Sequence, residues 1–130
     1  IIYKLHPGEF IDWKSRYPQL VNSKIRVIDT PDINLYMLFS ESIAQVGVYS
    51  TALFEGFGYS LRTFVLSHGE IEHVQALIDD GDAILVTQAE EILQGIANKQ
   101  CGQASMEKYW EADAYLKTKT FLSQLIQEDM

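Results

Sequence analysis

Short apolar runs rich in β-branched residues alternate along this chain with longer stretches of helical period. Side chains repeat every 2 residues in a strand and every 3.6 in a helix, so the two patterns predict strands and helices in turn. Such an alternation is typical of a parallel sheet with helices packed on both faces. The predicted strands are 1–5, 25–28, 45–48, 63–66 and 83–86, and the predicted helices are 9–20, 33–42, 51–59, 71–79 and 89–98.

The expected fold class is therefore α/β, a Rossmann-like three-layer α/β/α arrangement with one mostly parallel sheet of about five strands. Pro18 predicts that the first helix stops or kinks near Arg16. Residues 105–128 follow as a C-terminal helical segment that fits one long helix or two shorter ones. Without internal repeats or low-complexity stretches, we expect residues 1–130 to form a single domain.

Charge and composition exclude several classes of function. The chain has 18 acidic and 10 basic side chains and a net charge of −8, which argues against nucleic acid as a partner, because phosphate contacts need clustered Lys and Arg. No run reaches the roughly 20 apolar residues of a membrane span, and the N-terminus lacks the zones of a signal peptide, so we expect a cytoplasmic protein. The single cysteine, Cys101, forms no internal disulfide, and no Cys/His cluster has zinc spacing, so no metal or cofactor is expected.

Ligands of a parallel α/β sheet bind at the carboxyl ends of its strands, and the first strand ends in Lys4, His6 and Pro7. A histidine at a strand end can donate a hydrogen bond or a proton to a phosphate oxygen. Pro7 stiffens the turn that would hold it. The alternative is a surface-turn histidine satisfied by a backbone carbonyl.

The loop after the third strand carries two hydroxyls, Ser50 and Thr51, where a helix is predicted to begin. Hydroxyls and unpaired backbone N–H groups at such a point can bind an anion without a lysine. Ordinary helix capping by either hydroxyl is the alternative. Glu55 lies four residues after Thr51 on the same helical face, where its carboxylate can accept hydrogen bonds from a ribose diol or face solvent.

Ser67 and His68 follow the fourth strand and offer further donors at the same expected edge, next to the flexible Gly69. A polar connection without a ligand is the alternative. Seven acidic side chains and no basic one occur from Glu70 to Glu91, a pattern typical of a solvated face. Motifs of serine hydrolases, dinucleotide-binding loops and Walker-type phosphate loops are missing from the sequence.

Taken in order, these motifs resemble the donor-nucleotide half of GT-B glycosyltransferases. The closer resemblance is to the group with a His-Pro motif and a downstream Ser-Ser or Ser-Thr motif: bacterial sialyltransferases, Kdo transferases and CDP-glycerol-type glycerophosphotransferases. Lys4-Leu5-His6-Pro7 matches the first motif and Tyr49-Ser50-Thr51 the second. The run from Glu55 through Gly56 and Gly58 is similar to a glycine-containing stretch of GT-B donor domains, although Arg62 stands where that stretch often has proline.

The resemblance implies metal-independent transfer from a nucleotide-activated sugar or glycerol donor, with cytidine as the expected base, to a cell-surface polysaccharide. His6 would contact or protonate the leaving phosphate. The donor-binding set would be Lys4, Pro7, Ser50, Thr51, Glu55, Ser67 and His68. The full-length enzyme is expected in the cytoplasm, with peripheral attachment at the inner face of the membrane as a further option.

The chain opens on Ile1-Ile2-Tyr3, inside a predicted strand, so we expect a piece of a longer protein. The resemblance implies that an N-terminal acceptor domain is missing and that the isolated piece is inactive. It also implies an exposed sheet edge at which the chain could self-associate. Two other functions remain open: a sugar-nucleotide 2-epimerase-like domain, and a non-catalytic Rossmann-like module for binding or interaction.

Overall fold

The computed structural model describes residues 1–99 and 104–128. Its backbone divides into two compact units, Ile1–Ser42 and Ile43–Met130. Cys101 lies outside the described residues. The prediction of a single domain stays a prediction.

The first unit is built on two short parallel strands, with Ile2 beside Arg26 and Lys4 beside Ile28. Its buried side chains include Leu5, directly after the first strand, Ile28, the last residue of the second, and Trp13. In chain order its elements are β1 (Ile2–Lys4), a 3₁₀ turn (Pro7–Glu9), α1 (Trp13–Arg16), α2 (Pro18–Val21), β2 (Arg26–Ile28) and α3 (Leu35–Ser40).

Proline divides the first predicted helix, as the sequence indicated. α1 ends at Arg16 and α2 begins at Pro18, in the first helical position, where the missing N–H costs no hydrogen bond. Asn34 begins α3, because its side-chain oxygen accepts a hydrogen bond from the backbone N–H of Tyr36 at 2.8 Å. The predicted helix 9–20 is thus a 3₁₀ turn and two single helical turns.

The second unit contains a three-stranded parallel sheet in the order β3-β4-β5. The middle strand is the most buried, with Thr63, Phe64 and Val65 all inaccessible. In chain order the elements are β3 (Ala44–Gly47), α4 (Ala52–Phe57), β4 (Arg62–Leu66), a 3₁₀ turn (Glu72–Val74), α5 (Gln75–Asp79), β5 (Ile84–Val86), α6 (Ala89–Ala97), α7 (Met106–Tyr109) and α8 (Ala114–Glu128).

The α/β class is confirmed, and every strand pair among the described residues is parallel. The prediction of one sheet of about five strands is wrong, because the five strands form a two-stranded and a three-stranded sheet. Apolar runs identify strands but carry no information on which strands hydrogen-bond to each other. Pairing depends on contacts far apart in sequence, which a local pattern cannot determine.

A buried glutamine joins helix α4 to the sheet. The Gln45 side chain donates from Nε2 to the backbone oxygen of Leu53 at 2.7 Å and to Oγ1 of Thr63 at 2.9 Å. Gly56 faces this amide, and a Cβ at that position would stand 2.2 Å from Gln45 Oε1. α4 therefore lies close to β3 and β4 only because position 56 has no side chain.

The C-terminal segment forms two helices, α7 and α8, with a break where Asp113 adopts a positive φ of 58°. Tyr109 at the end of α7 stacks on Phe57 of α4, with ring centroids 5.0 Å apart. Its hydroxyl donates to Asp82 at 2.5 Å, and Lys108 pairs with both Asp82 and Asp80. Every described side chain of α8 from 114 to 127 is exposed.

Replacement of Gly56 by alanine should destabilise the second unit by about 2 kcal/mol, even though alanine favours helices. The new Cβ would push the Gln45 amide away from Leu53 and Thr63 and leave its buried N–H groups unsatisfied. Urea unfolding of G56A and of the double variant G56A/Q45A tests this. The loss of unfolding free energy caused by G56A should be smaller in the Q45A background than in wild type. An equal loss in both backgrounds would rule out a collision between the new Cβ and the Gln45 amide.

Replacement of Tyr109 by phenylalanine should lower the free energy of unfolding by about 1.5 kcal/mol, because the ring stays on Phe57 while the bond to a charged carboxylate is lost. Burial opposes ionisation of Asp82, but hydrogen bonds from Lys108 and Tyr109 outweigh it and hold its pKa below the ordinary 3.8. The stability that comes from the ionised Asp82 carboxylate is complete above pH 3.8, and it is lost as the pH falls through the lowered pKa of Asp82 in the folded protein.

Thermal unfolding over a pH series checks the Tyr109 prediction, with Y115F on the exposed α8 as the matched control. The difference between wild type and Y109F should be constant near neutrality and shrink in acid, because a bond to a neutral carboxyl group is weaker than one to a carboxylate. An undiminished difference once Asp82 is protonated would show that the hydroxyl acts through another contact.

Candidate functional site

The carboxyl ends of β3, β4 and β5 lie at one edge of the second sheet, because the three strands are parallel. Ser50 and Thr51 follow β3, and Ser67 and His68 follow β4. The structure thus brings four of the predicted site residues to one edge, in neighbouring loops. All four are exposed.

Ser50 caps helix α4, as the alternative interpretation had it. Its Oγ accepts a hydrogen bond from the backbone N–H of Ala52 at 3.2 Å. Thr51 makes no side-chain capping bond and has helical backbone angles. Its exposed hydroxyl is therefore available to a ligand at no cost to the helix, whereas that of Ser50 already has a structural role.

Glu55 lies one turn into α4, in the position expected from its spacing to Thr51. Its side chain is half-buried, and its carboxylate has no hydrogen-bond partner among the described residues. α4 is only six residues long, so its dipole is weak, and any binding here depends on side chains more than on the helix terminus.

The loop after β4 turns sharply. The N–H of Ser67 donates to the oxygen of Val86 at 2.8 Å and extends the pairing with β5, and that of His68 donates back to Leu66 at 2.8 Å. Gly69 then adopts a φ of +68°, a conformation that side-chain-bearing residues rarely take. This turn leaves the Ser67 hydroxyl and the His68 imidazole exposed, with no side-chain hydrogen bond among the described residues.

The sequence interpretation missed the third loop of this edge, at the end of β5. Glu91 is exposed, as the acidic run predicted, but it also has a structural role: its Oε2 accepts from Thr87 N at 2.5 Å, Gln88 N at 3.0 Å and Thr87 Oγ1 at 3.2 Å. The two backbone N–H groups lower the pKa of Glu91. Glu91 thus fills the N-terminus of α6 with its own carboxylate. The spacing of Gln88 and Glu91, typical of a capping box, was the available signal.

In the first unit, Lys4 ends β1 and His6 follows it at the start of the 3₁₀ turn, where Pro7 occupies the first position. The backbone N–H of Gly8 donates to His6 Nδ1 at 3.1 Å. The ring thus has a local partner in its own turn, as in the alternative interpretation, but this partner is an amide donor and not a carbonyl. A ring nitrogen that accepts cannot carry a proton, so the proton of the neutral imidazole is on Nε2. His6 is exposed, and its Nε2 has no partner in the described part of the chain.

Glu9 closes the turn around His6. Its Oε2 accepts from the backbone N–H of His6 at 3.0 Å, and its Oε1 accepts from the hydroxyl of Tyr17 at 2.5 Å. The Tyr17 bond and then the His6 bond lower the pKa of Glu9, and the same contact raises the pKa of Tyr17. Asp29 follows β2, the partner of β1, at the same edge, and its carboxylate accepts from Trp13 Nε1 at 2.8 Å.

Within residues 1–99 and 104–128, no three His, Cys, Asp or Glu side chains come together in a way that could hold a metal ion. None of the helices in these ranges is long and apolar enough to cross a bilayer. The loops at the carboxyl ends of the strands offer hydrogen-bond donors from hydroxyl, imidazole and amide groups. Such donors suit the oxygens of one anionic group.

No protein-family model matches the chain, and neither a curated protein nor a solved structure matches it. The glycosyltransferase resemblance therefore remains an expectation that depends on the two short motifs.

Replacement of Glu91 by alanine should loosen the start of α6 and cost about 1 kcal/mol, since three donors lose their acceptor. The measurement is amide hydrogen exchange at Thr87 and Gln88, which should speed up by about fivefold or more. Glu90, exposed and without such bonds among the described residues, supplies the matched control E90A. Unchanged exchange in E91A would mean that the cap does not form.

Proposed function

We propose that this chain is the donor-nucleotide-binding domain of a glycosyltransferase that acts in cell-surface polysaccharide synthesis. The observation that carries the proposal is the meeting of two donor-bearing loops, Ser50–Thr51 and Ser67–His68, at the carboxyl edge of one parallel sheet. Ligands of open α/β sheets bind at such edges. Exposed hydroxyls and an imidazole there can hold the oxygens of a phosphate.

Each residue of the edge has a proposed part in binding. Thr51 and His68 donate to phosphate oxygens, because neither side chain has a structural hydrogen bond among the described residues. Ser67 supports them from the same turn. Glu55 accepts from the ribose hydroxyls, since its carboxylate is half-buried on the face that begins at Thr51.

In the first unit, the proposed role of His6 is donation to the leaving phosphate from Nε2. The hydrogen bond from Gly8 to Nδ1 supports this role by leaving the proton on the exposed nitrogen. Lys4 has the proposed role of a basic group beside the phosphate, and Pro7 that of a rigid residue in the turn that holds His6. The base of the nucleotide is proposed to be cytidine on the strength of the motif resemblance.

A non-catalytic binding or interaction module is the second candidate. The observation in its favour is that Ser50 and His6 both have structural hydrogen bonds, Ser50 as a helix cap and His6 within its own turn. These local structural roles explain why the two residues occur at these positions without any bound ligand.

The two candidates separate in a titration of backbone amide shifts with CMP, CDP, UDP and GDP. A donor domain should show shifts in the loops 48–51 and 67–70, largest for a cytidine nucleotide, and the motif resemblance adds the turn at His6. No response to any of the four would exclude the nucleotide site and leave the interaction module.

Variants T51A and H68A should each weaken nucleotide binding by about tenfold, the effect of one lost hydrogen bond to a charged group. The matched controls are T118A on α8 and H73A, both exposed and both outside the proposed donor-binding set. Equal affinities in the site and control variants would contradict the assignment.

A further inference from the structure

His6 does not stand alone at the end of β1: a chain of contacts ties it to the interior of its unit. Trp13 is buried and holds Asp29 through its indole nitrogen. Tyr17, one turn later, donates its backbone N–H to Trp13 O at 2.7 Å and is half-buried. The Tyr17 hydroxyl then reaches Glu9, whose second oxygen binds the backbone N–H of His6.

We infer that Glu9 and Tyr17 are positioning residues for His6, which hold its imidazole as the Nε2–H form and direct that one donor outward. The functional part of this inference rests on the proposed role of His6 in binding the donor phosphate. The geometric part, which concerns the turn alone, does not.

The geometry needs both residues because the turn is short and exposed. A three-residue 3₁₀ turn has poor internal hydrogen bonds and no buried residue of its own. The reciprocal bonds of His6 and Glu9 close the turn, but they are local and move with it. The Glu9–Tyr17 bond connects the turn to the helix of the buried Trp13. The Glu9 carboxylate is ionised and accepting at neutral pH, and its lowered pKa extends this range into more acidic solution.

An imidazole fixed in this way offers a single donor in one direction. A freely rotating histidine would present either nitrogen, in either tautomer, and would lose this freedom when it bound a phosphate. Glu9 and Tyr17 thus lower the entropic cost of that contact without touching the ligand.

A direct readout is the scalar coupling between the Gly8 amide nitrogen and His6 Nδ1 across their hydrogen bond, measured without nucleotide at a pH where histidine is neutral. We expect the coupling in wild type and in the control Y3F, a smaller one in Y17F and none in E9A. Tyr3 is the matched control because it is an exposed tyrosine in the same unit with no side-chain hydrogen bond among the described residues. Absence of the coupling in wild type, or an unchanged coupling in Y17F, would overturn the positioning role; Y17F keeps the test valid if E9A does not fold.

A double-mutant cycle on CMP affinity then tests whether Tyr17 acts through His6. Y17F should weaken binding about threefold in the wild-type background and leave it unchanged in the H6A background. Equal losses in both backgrounds would show that Tyr17 acts independently of His6 and would overturn the inference. If CMP does not bind at all, the proposed function fails, and the coupling experiment still decides whether Glu9 and Tyr17 fix the imidazole.

Discussion

The buried amide of Gln45 is the contact on which the second unit depends most. α4 has six residues, far fewer than the roughly 12 that a helix needs to persist by itself in water. Its position is set by packing of Leu53 and Phe57 on the sheet and by the hydrogen bonds from Gln45 to Leu53 and Thr63. These bonds join the edge strand β3, the helix and the central strand β4, so a shift of any one would leave a buried polar group unsatisfied.

The same contact determines what the carboxyl edge of the sheet can present. With Leu53 fixed over Gln45, the chain must turn between Gly47 and Ala52, and Ser50 and Thr51 come to lie on the outside of that turn. The core thus sets the place of the loop but not its chemistry. Side chains at this edge are exposed and contribute little to stability, and for that reason their hydroxyl and imidazole groups can serve a ligand.

Local patterns in the sequence located the strands and most of the helical segments, although 9–20 is a 3₁₀ turn and two single helical turns, and they were insufficient for the association of these elements. Pro18 marked the break between α1 and α2, and Gly81, with a φ of +76°, follows the end of α5. The same patterns could not show that β1–β2 and β3–β5 form separate sheets, since pairing is a long-range choice. Nor could they place Gln45 inside, because a polar residue at a strand start reads as exposed unless its partners, Leu53 and Thr63, are known.

The sequence was enough to place the site residues after the ends of the strands, but it did not show which hydrogen bonds their side chains make. The motif at His6 predicted the residue but not its amide partner. The acidic run obscured the capping role of Glu91, whose carboxylate accepts from three donors of the preceding loop. That compensation matters for the proposed ligand. In a chain of net charge −8 an anion gains no long-range attraction, so the proposed binding depends on short-range donors such as Thr51 and His68. Under the proposed function the ligand is one phosphorylated small molecule, because a polyanion would need basic groups along its length.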